Sequence, residues 1–546
     1  PLGYVVYHNY DEYGCLVSVI DELGHPTYYD PPLTEKVKGE TNALGDTTYF
    51  YYNTDGQHIA TRDPLGSLTY YERDSLNRVT KVTDALDNST ETAYSNIGLP
   101  TIEINELDHA TYYTYDFRGS QTSERDALWN TEYFHYDSAG NRIAHTDRLG
   151  RRTYYWYDSV NRQYAVRTPD GAVTYSEYDL ADRLVASVDA LGNVTYYLYD
   201  AVGNQIAHEG PDGAVTYSYY DDLDRLYCSE DPLGNLSYYE YDARGRQIAS
   251  IDPLGNVTYT EYDGRGSVTV EKNARGYVTY HYYDAVNREY ATEDPSLNVT
   301  YHLFDAAGRT VATIDPADDV TYMNYDAVGR NTETIQPTGA VTYSNYDAAD
   351  QLITRIGSSG RPTYFHYDPV GQQIKTVDAV GNETLTYYDA EGQSISSVDP
   401  TAAATYYSYD PAGRMESTTD PRDDTVYYEY DLAGRRDAIT DARGDTVYYE
   451  YDAAGRTIAE TTALDETTYY DHDLAGRRVS RLDPDNEVTY YSHDAAGQQV
   501  LRQHVDDGAA YFEYDANGNR IMMQDPQGTV YYSYDALDQM TGQEEN

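Results

Sequence analysis

Lysine is almost missing from this chain. Five occur in 546 residues: Lys36, Lys38, Lys81, Lys272 and Lys375. With arginine the basic total is 38, against 92 acidic residues, for a formal charge of −54. That balance excludes the positive footprint a nucleic-acid binder needs, and it opposes docking on anionic lipid. Self-repulsion of this size calls for counterions. Cysteine is scarcer still. Cys15 and Cys228 are the only two, they sit at different points of the sequence pattern, and no CxxC or Cys/His spacing surrounds them. A disulfide framework and a structural zinc site are thereby excluded; a single Cys15–Cys228 bridge stays open. No apolar run approaches the ~20 residues of a membrane-crossing helix, so membrane insertion is not expected. The 13 histidines form no HExxH, and there is no GxxxxGK[ST] or GxSxG. No enzyme and no cofactor are expected.

Phe, Trp and Met are also rare, at 6, 2 and 5 residues, whereas Tyr reaches 67. The hydrophobic content therefore leans on phenol rings, and each buried ring needs a partner for its hydroxyl. Thin, half-wet layers are expected rather than one oily core. The tyrosines are periodic. Tyr-Asp stands at Tyr115-Asp116, Tyr136-Asp137, Tyr157-Asp158, Tyr178-Asp179 and Tyr199-Asp200, and recurs every 21 residues to Tyr514-Asp515. It softens to Phe304-Asp305, His472-Asp473 and His493-Asp494 without losing the spacing, and slips by one residue at Tyr534-Asp535. So strict a period means one small unit copied along the chain. Three stretches follow from how well the letters are kept: degenerate repeats over 1–110, regular ones over 111–535, and a divergent terminal half-repeat over 536–546.

Counting the Asp of Tyr-Asp as position 1, the unit has Gly at 4, often Arg at 5, an aliphatic at 7, Asp-Pro-x-Gly-Asn at 11–15 and Val-Thr-Tyr-Tyr-x-Tyr at 16–21. Asp242 to Tyr262 is a nearly clean copy. Both Asp-rich segments are turn signals, with Gly245 and Gly255 where a left-handed backbone is needed. Gly or Pro interrupts every stretch before a helix could form. The segments between the turns have strand length, and the second has strand composition. The fold class is therefore all-β: tandem antiparallel hairpins forming one continuous sheet, about 52 strands and roughly 250 Å wide. A sheet that wide must coil, giving a spiralling tube or shell. The alternative is a parallel β-solenoid. Pairing across the turn places positions 5, 7 and 9 opposite 21, 19 and 17, so Arg246, Ile248 and Ser250 face Tyr262, Thr260 and Thr258. The same pairing puts Arg435 beside Tyr451, in cation–π range.

Two further site types are expected. Asn-x-Ser/Thr occurs at Asn88, Asn193, Asn235, Asn256, Asn298 and Asn382, all at position 15, making these candidate glycosylation sites and glycans candidate partners. Turn chemistry alone also favours Asn there, so both readings stand. Ca2+ or another counter-cation at the Asp-rich turns is the one candidate ligand, and would need Asp from both turns. The chain opens at Pro1-Leu2-Gly3 in mid-repeat, as a mature or cropped piece would. It starts with a second strand and stops with a first strand, which suggests head-to-tail self-association by strand addition.

The repeat motif itself is carried by Tyr199-Asp200 with Gly203, Tyr241-Asp242 with Gly245-Arg246, Tyr430-Asp431 with Gly434-Arg435, and Tyr451-Asp452 with Gly455-Arg456. This Tyr-Asp-x-x-Gly-Arg string, followed by Asp-Pro-x-Gly and Thr-Tyr-Tyr-x-Tyr-Asp, resembles the YD-repeat or RHS-repeat family over nearly the whole chain. The resemblance implies a spiralling strip of hairpins that closes into a large shell, as in bacterial toxin cocoons and the extracellular teneurins. Those cocoons usually end in a self-cleaving core with a toxin behind it, and that core's signature is not found here. The constant repeat length suits an open tube of uniform diameter. The favoured function is thus a structural extracellular filament, tube or sheath at the cell surface; the alternatives are a fragment of a toxin-encapsulating shell and a cell-surface adhesin.

Overall fold

The structure, a computed structural model, describes residues 6–11, 16–29, 37–506 and 508–545. Pro1-Leu2-Gly3, Cys15 and Lys36 lie outside the described residues. The described chain forms 52 strands, numbered β1 (Tyr7–Tyr10) to β52 (Met540–Glu545) in chain order. Each strand pairs antiparallel with its chain neighbours, and strand contacts are confined to such neighbours. The result is a single open sheet of hairpins, which removes the parallel solenoid.

The hairpins form because both turns close the same way. Around β24 (Gln247–Ile251), the Asp242 amide donates to the Arg246 carbonyl at 2.9 Å and the Gly245 amide to the Asp242 carbonyl at 3.0 Å. The Asp252 to Asn256 turn repeats both bonds. Gly245 and Gly255 hold φ of 84° and 86°, which a Cβ would disfavour. Where the letters degenerate before residue 110, Asn77, Asp87 and Asp108 take the same left-handed place with φ of 63–67°. The hairpin geometry therefore continues through the region whose consensus is blurred. The slip at Tyr534-Asp535 has a local cause. Asp525 pairs directly with Gly528, so only Pro526-Gln527 remain in a loop that spans five residues in other repeats.

The expected facing needs one correction. Ser250 opposes Thr258 and Ala249 opposes Tyr259, but the ladder between β24 and β25 (Val257–Tyr262) stops at Ala249. On its other side, β24 pairs with β23 (Leu236–Tyr241) through Tyr241↔Gln247 and Glu240↔Ala249. Ile248 is the extra residue of a β-bulge, so positions 7/19 and 5/21 are not ladder partners. The same bulge recurs at this point along the array.

The wall is one layer thick. Its buried positions are mainly small residues at position 8, including Ala60, Ala144, Ala186, Ala249, Ala312, Ala459 and Cys228, which is a free thiol. Among the described residues no large side chain is fully buried. The accessible surface of 30801 Å² compares with ~20,000 Å² for a compact monomer of this mass. Such an excess belongs to a thin sheet wound around a space. Among the described residues no helix is long and apolar enough to cross a membrane.

Candidate functional site: an arginine clamp and a seam between turns

The strip has two rims. One carries the turns at positions 1–5, here the Gly-Arg rim; the other carries those at 11–15, the Asp-Pro rim. On the Gly-Arg rim, Asp242 Oδ1 accepts the amides of Arg244 at 2.8 Å and Arg246 at 3.0 Å, and its Oδ2 accepts Arg246 Nε at 2.7 Å. The same guanidinium lies 4.6 Å over the Tyr262 ring and donates from Nη1 to the Asp263 carbonyl at 2.9 Å. Tyr262 in turn donates its hydroxyl to the Gln247 carbonyl at 2.8 Å. That carbonyl sits beyond the end of the β24–β25 ladder, so the phenol completes what the bulge leaves open.

One arginine thus ties a turn to itself, to the tyrosine of its own repeat and to the next turn on the rim. Every candidate motif residue takes part. Arg183 lies over Tyr199 and donates to the Asp200 carbonyl, and Asp200 caps the turn containing Gly203. Tyr241 donates to the Leu226 carbonyl at 2.7 Å. Arg414 covers Tyr430 and donates to the Asp431 carbonyl, and Arg435 lies 4.6 Å over Tyr451 and donates to the Asp452 carbonyl. Gly434 and Gly455 are needed twice over. Each has φ of 83°, and a Cβ would meet the preceding repeat's arginine at 3.5–3.7 Å. Arg456 continues the chain by donating to the Asp473 carbonyl at 2.9 Å. At one such clamp the pairing lowers a carboxyl pKa: the Arg225 guanidinium, aided by backbone amides, holds Asp221 down to about 2.

The candidate sequons have a turn role. Asn193, Asn235, Asn256 and Asn382 each donate Nδ2 to the turn Asp at 2.8 Å, Asn298 does so at 2.9 Å and Asn88 at 3.1 Å. The amide a glycan would modify is thus held inside the turn. Among the described residues no group of three or more His, Cys, Asp or Glu is placed to hold a metal ion.

Contacts between distant residues reveal the winding. Arg265 meets Asp21 at 3.2 Å and Arg414 meets Asp170 at 3.1 Å, each 244 residues apart. Arg456 meets Asp212 at 2.9 Å, Arg148 N donates to Glu391, and Arg275 meets Asp515 and Asp538. In each case the Asp-Pro rim of an earlier segment abuts the Gly-Arg rim of a later one. One turn of the coil is therefore 244 residues, or about 11.6 repeats and about 23 strands, which at ~4.8 Å per strand gives a tube roughly 35 Å across at the backbone.

Sequence reasoning missed this seam, although position 13 marks it. Leu occupies that place at 23, 44, 65, 86, 107, 128, 149, 191, 233 and 254, broken by Asp170 and Asp212 at two of the ion pairs. After 254 the run ends, and only Leu464 recurs. Opposite it, the later turn presents small pairs such as Ala453-Ala454 and Ala495-Ala496. Seam Leu233 is 40% exposed, whereas Leu464 at the same repeat position on the uncovered rim is 78% exposed.

A family model described as RHS Repeat matches residues 241–278, 388–425 and 451–488. No curated protein matches the chain. Among solved structures, TcdB2-TccC3-Cdc42 superposes with a TM-score of 0.73 at 13% identity, over 99% of this chain and 40% of that one. TcdB2-TccC3 without hypervariable C-terminal region gives 0.69 at 14% identity, and TcdB2-TccC3 gives 0.67 at 15%, over 99% of this chain and 40% and 38% of theirs. This likeness is one of fold, and the chain spans about 40% of the length of those structures. With the motif, the hairpin coil and the matched segments in agreement, the chain carries RHS repeats within a coiled sheet of hairpins.

Proposed function

We propose that this chain is wall material of a hollow RHS shell that encloses a toxin polypeptide, in place of the extracellular filament favoured by repeat regularity. The observation that carries this reading is the 244-residue offset of the cross-seam contacts. A filament built by strand addition needs other copies to become long. This coil instead lays one of its own turns on the next, which encloses space within a single chain. The likeness to TcdB2-TccC3 along 99% of the chain supports the same reading. The wall acts as container and carries no catalysis of its own. Its partners are the enclosed polypeptide and further shell components, and its place of action is outside the producing cell.

Electron microscopy and protease protection of the full-length native protein test this. Hollow closed particles with internal density, and an enclosed segment resistant to protease until the wall is unfolded, are the expected results. Empty particles open at both ends, with no protected segment, would overturn the shell reading.

A further inference from the structure

On one face of the sheet a small residue at position 8 stands opposite a tyrosine at position 18. Ala249 opposes Tyr259, Ala312 opposes Tyr322 and Ala438 opposes Tyr448. From Tyr28 to Tyr511 the column of rings at position 18 is broken twice, at Glu91 and Leu385. Both breaks stand opposite a lysine at position 8, Lys81 and Lys375. At the first, Lys81 Nζ meets Glu91 at 2.8 Å, so an ion pair fills the place of the ring. At the second, the residue opposite is Leu385, and Lys375 turns aside to Glu383 at 2.6 Å. Leucine is too short to replace a phenol, and the ring's place stays open.

A half-open cavity of about 730 Å³ lies at this break. Lys375, Leu385 and Tyr387 line it from one repeat, His366 from the repeat before, and Leu128 and Asn130 from the far side of the seam. That size, with a mainly apolar lining and a few convergent polar groups, suits a small ligand. The charges narrow its chemistry. Asp368 and Asp389 also line the cavity, and with Glu383 they outnumber the single ammonium, which disfavours an anion. Each of these two Asp residues spends Oδ1 on two amides of its own turn, at 2.9–3.0 Å. Lys375 has donors beyond the one it gives Glu383.

We propose that this cavity binds a small neutral aromatic molecule bearing a hydroxyl or carbonyl oxygen, the ring in the place of the absent tyrosine and the oxygen accepting from Lys375 Nζ. The site is assembled from two turns of the coil, so its ligand bolts the seam. The proposal needs one repeat and the seam, and does not depend on what the coil encloses.

The test is calorimetric titration of the full chain with 2-naphthol. Saturable binding at one site is expected. 2-Naphthoate, with the same rings and a carboxylate, should bind at least about ten-fold more weakly, since like charges oppose it. Lys375→Ala/Leu385→Tyr returns the repeat to the pattern of its neighbours, and Leu385→Tyr alone restores the ring. Both should lose saturable binding with the β circular dichroism intact. The same repair at the other break, Lys81→Ala/Glu91→Tyr, should bind like the parent. Hydrogen exchange with 2-naphthol present should slow on both sides of the seam, at residues 126–130 and 385–390. A parent without saturable binding, repaired variants that bind like the parent, naphthoate binding as tightly as naphthol, or protection confined to one side of the seam would overturn the proposal.

Discussion

Arg414 holds Asp170 across 244 residues of chain, Nη2 to Oδ2 at 3.1 Å, while keeping its own turn Asp410 at 2.6 Å. One guanidinium therefore belongs to the rim clamp and to the seam together. Local hairpin order and the winding of the coil meet at that residue.

Loosening the seam should leave the hairpins standing. Asp170→Asn with Asp212→Asn removes two cross-seam pairs, while Arg414 and Arg456 keep their turn partners. Each pair is worth ~0.5–1 kcal/mol at this partial exposure. Hydrogen exchange at turns near both seam sides should rise several-fold, with little change at strand centres. Asp485→Asn, at the same repeat position on the bare rim, is the control and should change nothing.

The leucine pattern makes a sharper comparison. Leu233→Ala and Leu464→Ala alter the same repeat position with the same chemistry. Leu233 is 40% exposed against the seam and Leu464 78% exposed on the bare rim. Leu233→Ala should cost about 1 kcal/mol, from the apolar area it buries, and Leu464→Ala close to nothing. Urea melts of both variants decide it; equal effects would mean that the seam is not packed.

Sequence periodicity makes hairpins legible because the whole device is local: an Asp cap, a left-handed Gly and a strand end lie within five residues. The Arg435–Tyr451 contact was accessible by the same route. The bulge at Ile248 was not, since it arises where Tyr262 reaches the Gln247 carbonyl instead of continuing the ladder. The 244-residue turn was also hidden. It depends on sheet twist summed over about 23 strands, where small angular differences accumulate. Its imprint, Leu at position 13 ending after Leu254, has meaning only once the two rims are known to meet.

The Tyr hydroxyl should be worth measuring alone. Tyr262→Phe removes the 2.8 Å bond to the Gln247 carbonyl and leaves that oxygen without its donor. A loss of about 1 kcal/mol is expected. Arg246→Lys should cost more, because lysine cannot hold Asp242, stack on Tyr262 and reach Asp263 at once. Denaturant melts with fluorescence probes placed near and far should show the damage confined to neighbouring repeats.

Acid should dismantle the clamps from below pH 4. Asp221 is held down to about 2, chiefly by its hydrogen bonds to the Arg225 guanidinium and then by backbone amides. A carboxylate with a folded pKa below its unfolded value of ~3.9 stabilises fully above that value, and the contribution disappears as pH falls through the folded pKa. Approaching the isoelectric point near 4.3 also removes repulsion, which works in the coil's favour. The β signal should therefore persist down to about pH 4 and fall between about 4 and 2. Arg225→Ala should move the local onset upward, read by hydrogen exchange around residues 221–225.

Two repeats break the tyrosine rule with histidine, and their pH response should run the other way from simple charge relief. Burial, reinforced by Arg456 and Arg478, lowers the pKa of His472; burial and Arg477 do so for His493, against the opposing pull of Asp473 and Asp494. Each Nδ1 is buried without a hydrogen-bond partner. Because the folded pKa lies below the unfolded ~6.5, the unfolded chain binds more protons between the two values, so stability falls as pH drops through that window. His472→Tyr and His493→Tyr should abolish this slope and place a hydroxyl near the carbonyls of Thr457 and Arg478, stabilising by ~0.5–1.5 kcal/mol each. Urea melts at pH 7.5 and 5.5 measure both effects, since the change in overall charge is shared by parent and variants and cancels in the difference. A parent slope that survives both substitutions would assign the pH response to groups other than these histidines.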